Sequence, residues 1–112
     1  MIARKWHGRV PARHEEAYRQ VVIDTGIRDI RRSPGNVAAH LLRNTEDGVT
    51  HFTLITLWES WDAIRGFVGD DLQRAVYYPE DDPYLLEKEP TVTHYQVDSW
   101  HGLVEGAAAG AV

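Results

Sequence analysis

The chain has 112 residues, enough for one domain with a core of its own, and 17 Asp and Glu against 12 Lys and Arg give it a formal charge of -5. Its basic residues form no stripe or cluster, which argues against nucleic acid as a partner. It has no cysteine, so disulfides, thiolate metal sites and cysteine nucleophiles are excluded, as suits a reducing cytoplasm. No secretory leader and no membrane-length apolar run is present, and a cytoplasmic protein is expected.

The first element is a strand over Ile2 to Val10, whose alternation puts Ile2, Arg4 and Trp6 on one face and Ala3, Lys5 and His7 on the other. Pro11 suits a helix start, and Ala17, Tyr18, Val21, Val22 and Thr25 then recur at helical spacing, with Arg13, Glu15, Glu16, Arg19 and Gln20 outside the stripe. Gly26 interrupts this helix, Ile27 and Ile30 continue its apolar side, and Ser33-Pro34-Gly35 closes it. A second strand is predicted over Asn36 to Arg43, then a polar turn from Asn44 to Asp47-Gly48 into an antiparallel third strand.

Thr50 to Trp58 is rich in β-branched and aromatic residues and free of Gly and Pro, which predicts a strand buried on both faces. Ser60 caps a following helix that carries Trp61, Ala63, Ile64 and Phe67. Asp70 starts a second short one with Leu72, Ala75, Val76 and Tyr78 on one side, ended by Pro79. Asp82-Pro83 predicts a brief helix over Tyr84 to Glu87, and Pro90 precedes a last strand, Thr91 to Asp98. The order β-α-β-β-α-β is that of a ferredoxin-like α+β unit, a four-stranded antiparallel sheet with helices on one face. Residues 1–101 are read as that single domain and 102–112, small and unpatterned, as a flexible tail. The bare sheet face needs a cover, and a second copy in a homodimer would supply one.

Six histidines show no metal-ligand spacing, and no metal site is predicted. His7 and His51 are the candidates for acid-base work, since both lie on strands that border the space between sheet and helices. Asp70, Asp71, Glu80, Asp81 and Asp82 are read as helix caps and solvated charge. Trp6, Trp58, Phe67 and Tyr78 are candidates for lining a flat apolar slot, which suits a planar ring as ligand. Tyr77 is a candidate hydrogen-bond partner there.

FTLITLWES, followed by DAIRGFVGDD and AVYYPEDD, resembles the antibiotic biosynthesis monooxygenase family of dimeric α+β barrel proteins over nearly the whole chain. The resemblance implies a homodimeric barrel with a ligand pocket inside each subunit. It also implies a cofactor-independent monooxygenase that acts with O₂ on a phenolic or hydroquinone, polyketide-like small molecule, with no flavin or metal. Relatives that oxidise anthrones carry polar residues where this chain has Leu54 and Ile64. Relatives that degrade haem hold its iron through a histidine at the position of Tyr77 and carry a pocket tryptophan at that of Phe67, so haem would lack its usual ligand here. A barrel that binds a small molecule without turnover is the third alternative.

Overall fold

The computed structural model describes residues 1–102; of the proposed tail, all but Gly102 lies outside the described residues. Four strands, β1 (Ile2–Pro11), β2 (Asn36–Glu46), β3 (Val49–Trp58) and β4 (Thr93–Gln96), form one antiparallel sheet in the order β2-β3-β1-β4. Helices α1 (Glu15–Val22), α2 (Arg28–Arg32) and α3 (Trp61–Val68) lie on one face of it. This is the ferredoxin-like arrangement that the element order predicts.

The hairpin between β2 and β3 closes through Asp47 and Gly48, both with positive φ (53° and 77°), the conformation that a two-residue turn of type I′ requires. Pairing therefore continues to Glu46 and Val49, past the end predicted for the second strand. At the other end of β3, the Ser60 hydroxyl accepts the Ala63 N–H at 3.1 Å and caps α3 as its sequence predicts. Gly26 does not break the first helix. Residues Ile23–Ile27 instead make one wide π-helical turn that joins α1 to α2.

Side-chain parity decides which residues meet. On β1, Ile2, Arg4, Trp6, Gly8 and Val10 face the helices, and on β3 so do Thr50, Phe52, Leu54, Thr56 and Trp58. Ile2, Val10, Phe52, Leu54 and Trp58 belong to one core with Tyr18, Val22, Ile30, Ile64 and Val68. The other face carries Lys5, His7, Arg9, His51, Thr53 and Ile55, all partly exposed, and Leu57, which is buried, so β3 is buried along the whole helical face but only at Leu57 on the other.

Three predicted elements differ from the structure. Leu72 to Tyr78 is not helical, because its polar backbone is used elsewhere: Ala75 N–H donates to the Pro90 carbonyl, Val92 N–H to that of Gln73, and Arg4 to those of Leu72 and Arg74. Tyr84 to Glu87 is not helical either. A short 3₁₀ turn, Pro79–Asp81, stands just before it, held by the Asp81 carboxylate on the Tyr78 N–H. The last strand is confined to Thr93–Gln96.

Candidate functional site

Between the sheet and the helical layer lies a largely apolar cavity of about 50 Å³. Arg4 and Trp6 of β1 and Leu54 and Thr56 of β3 form its floor. Tyr18 and Val22 of α1 and Thr25 and Gly26 of the π turn form one wall, and Phe67, Val76, Tyr78 and Asp81 complete the lining. A space of that size holds water rather than a fused ring. Entry of a ring therefore requires a wall to move, and the wall without regular secondary structure is the segment from Gly69 to Tyr78.

Two charged groups are buried at this cavity. Arg4 is 5 % exposed and donates from Nη1 to the Leu72 carbonyl at 2.6 Å and from Nη2 to the Arg74 carbonyl at 2.7 Å, with His94 Nε2 3.1 Å from Nη1. No carboxylate among the described residues forms an ion pair with it. Burial first, and the Arg74 charge second, pull its pKa down to about 10. Asp81 is 4 % exposed. Its Oδ1 accepts the Tyr18 hydroxyl at 3.0 Å and its Oδ2 the Tyr78 N–H at 2.8 Å. Burial outweighs these hydrogen bonds and pushes the carboxyl pKa above the usual aspartate value. The Asp81 reading from sequence, a solvated member of an acidic run, is corrected by this burial. The run has one buried member because only Asp81 meets the Tyr18 ring brought over by α1.

The phenols beside Asp81 are held neutral. Tyr18 is raised by burial and then by Asp81, and Tyr78, whose hydroxyl donates to Asp29 Oδ2 at 2.8 Å, by burial and then by Asp29.

Of the residues singled out in the sequence, Trp6, Phe67 and Tyr78 line the cavity. Trp58 stands behind it, fully buried, with its ring stacked on Phe67 at 5.7 Å and its N–H on Thr56 Oγ1 at 2.8 Å. Tyr77 meets Trp6 edge to face at 6.3 Å and donates its hydroxyl to the Glu89 carbonyl at 2.6 Å, outside the lining. The Trp6 indole N–H is buried without an acceptor in hydrogen-bonding geometry. It lies near enough to the Tyr77 hydroxyl to favour phenolate, though burial has the larger effect and raises that pKa.

His7 and His51 come together, but on the open sheet face, since His7 is odd-numbered on β1 and His51 odd-numbered on β3. His7 Nε2 lies 2.9 Å from His51 Nδ1, and His7 Nδ1 lies 2.5 Å from Glu89 Oε2. Neither histidine lines the cavity. Sequence reasoning missed Arg4 and Asp81. Face parity already set Arg4 beside Trp6, and a lone cation on an apolar strand face is the signal that could have found it.

Histidine-ligated haem does not fit these residues. No histidine lines the cavity, the cavity tyrosines are bonded to carboxylates and held neutral, and Tyr77 is bonded to a carbonyl. No group of three or more His, Cys, Asp or Glu among the described residues is placed to hold a metal ion.

The sheet order and the one-sided helical layer define a ferredoxin-like α+β protein with an internal cavity. The sequence pattern of the antibiotic biosynthesis monooxygenases matches residues 1–77, and the chain belongs to that family. No curated protein matches it. Among solved structures it is similar to a Nitrosomonas europaea protein described as an antibiotic biosynthesis monooxygenase (16 % identity, 88 % of this chain and 100 % of that one, TM-score 0.61). It is also similar to the haem degrader MhuD of Mycobacterium tuberculosis, solved with two haems in its active site (18 %, 91 % and 100 %, TM-score 0.61). A third is a Streptomyces coelicolor monooxygenase in complex with nanaomycin D (18 %, 92 % and 91 %, TM-score 0.58). At such identities the likeness establishes the fold. No helix among the described residues is long and apolar enough to cross a membrane.

Proposed function

We propose that the protein is a cofactor-independent monooxygenase that oxidises a phenolic or hydroquinone, polyketide-like aromatic molecule with O₂ in the cavity beneath β1 and β3. What supports this reading, beyond the family, is a single arrangement: an aromatic-walled cavity that contains a buried carboxyl of raised pKa, Asp81, and lacks a ligand set for haem iron. In such a reaction the substrate supplies the electrons. For a ring methylene beside a phenol, loss of a proton gives an anion that reduces O₂. One oxygen atom then becomes the ring carbonyl, and the other leaves as water with the two methylene hydrogens.

Asp81 is the proposed proton acceptor. An aspartate raised from its ordinary value of 3.8 is a stronger base than an exposed one, and a ring that fills the cavity displaces water from beside it. Trp6, Phe67 and Tyr78 sandwich the ring. His7 and His51 lie on the other face of the sheet and Tyr77 lies outside the lining, so their variants serve as the comparison.

The same reading includes a homodimer. Its motive is the uncovered sheet face, where Leu42 and Tyr95 are 50 % and 51 % exposed beside the half-buried Ile55.

The test is O₂ consumption by chelator-treated protein with an anthrone or a naphthohydroquinone. Asp81→Asn should lower the rate by roughly 10²–10⁴-fold with its circular dichroism unchanged, while His7→Ala turns over near normally. Normal turnover in a folded Asp81→Asn protein removes Asp81 from the mechanism. Dependence on added haem or a metal overturns cofactor independence.

A further inference from the structure

The cavity floor contains an uncompensated cation. Arg4 is nearly fully buried, and the acceptors it meets, the Leu72 and Arg74 carbonyls and a His94 ring nitrogen, are neutral or carry no negative charge. The one charge that acts on it strongly is repulsive, from Arg74. Asp81 lines the same cavity but is bonded to Tyr18 and Tyr78 and makes no ion pair with Arg4. Burial of a charge is unfavourable unless an opposite charge meets it. A chain needing only a strut for two carbonyls could use a neutral donor, without the cost of desolvating a guanidinium. Arginine also has five N–H donors, of which the two carbonyls and the His94 nitrogen take at most three.

We propose that the cavity selects aromatic acids, with the ring held among Trp6, Tyr18 and Phe67 and a carboxylate of the ligand paired with the Arg4 guanidinium. Arg4 is thus a specificity-determining residue. The same group also ties down the movable wall, because its present acceptors are the carbonyls of Leu72 and Arg74. A carboxylate that engages the guanidinium competes with those carbonyls, so arrival of the anion loosens the wall that has to move to admit the ring. The negative net charge of the protein, -5, works against anions at its surface, and an observed preference for an acid would therefore have to come from a local cation.

This inference deepens the aromatic-ligand reading and rests on it, so its test measures binding without turnover. The probes are 1-hydroxy-2-naphthoate and its neutral isostere 1-hydroxy-2-naphthamide, titrated by calorimetry into the full chain at pH 7.5 and low salt. The wild type should bind the acid about 10–100-fold more tightly than the amide, the range for a hydrogen bond to a charged group. Arg4→Met should bring the two affinities within about threefold while the amide still binds, and Arg4→Lys should keep part of the preference. Equal binding of acid and amide by the wild type means that Arg4 is a strut alone, which overturns this proposal and leaves the aromatic cavity standing. Binding of neither probe overturns both together. If Arg4→Met does not fold, the wild-type pair and Arg4→Lys decide the matter.

Discussion

Gly8 lies in the middle of β1 with its missing side chain directed at the indole of Trp6, and Gly8→Ala tests how that ring is seated. A Cβ at Gly8 would stand 2.5 Å from Trp6 Cη2, 2.7 Å from Cζ2 and 3.0 Å from Leu85 Cδ2. Carbon atoms in contact keep about 3.5–4.0 Å apart, so the ring has to retreat by about 1 Å into a space bounded by Tyr77 and the cavity. Gly8 is not among the residues of positive φ, so its backbone would accept alanine without strain. Alanine there restricts the unfolded chain, worth about 0.4–1 kcal/mol in its favour. A contact as short as 2.5 Å belongs in the upper half of the about 1–3 kcal/mol that overpacking costs, and the net loss expected is about 1–2.6 kcal/mol. Urea unfolding should show a lower midpoint with an unchanged slope. In a Trp6→Phe background, where Cη2 and Cζ2 are gone, the same substitution should be near neutral, giving a coupling above about 1 kcal/mol in the double-mutant cycle. A Gly8→Ala protein as stable as the wild type, or a cycle with no coupling, would refute the placement of Trp6 over Gly8.

Trp58→Ala should cost about 3–5 kcal/mol, since it empties a fully buried site and strips Phe67 of its stacking partner; an unchanged melting temperature would remove Trp58 from the core. The His94 pKa is held below 6.5 by burial and then by Arg4, so the folded state resists a proton that the unfolded chain accepts. Stability from this group is present above about pH 6.5 and lost as pH falls through that value towards the lowered native pKa. His94→Asn should flatten this part of the stability profile, and an unaltered slope would count against the burial of the ring. Light scattering at micromolar concentration should give a dimer for the wild type and a smaller mass for Leu42→Asp, a charge set in the open sheet face. A folded monomeric wild type would end the dimer proposal.

The sequence by itself determined the layer architecture, because local patterns carry it. Alternation on β1 and the apolar run of β3 specify strands, Asp47-Gly48 specifies the turn between β2 and β3, and Ser60 marks the start of α3. It also set the parity that puts Arg4 beside Trp6 and His7 on the opposite face, since parity depends on chain geometry alone.

Tertiary structure decided what parity cannot express. Only the register of β1 on β3 brings His7 to His51, and only the return of the chain after α3 brings Glu89 to His7, on a face away from the cavity. The three-and-four spacing of Leu72, Ala75 and Val76 matches a helix, yet Arg4, Pro90 and Val92 satisfy that segment's backbone from a distance in sequence, and a helix would forfeit those bonds. Asp81 stands between Glu80 and Asp82, both exposed, and its own burial follows from Tyr18, 63 residues away. A charge becomes chemically distinctive only through what surrounds it. In this chain those surroundings come from residues remote in sequence, which is why both buried charges of the cavity escaped a reading based on local pattern.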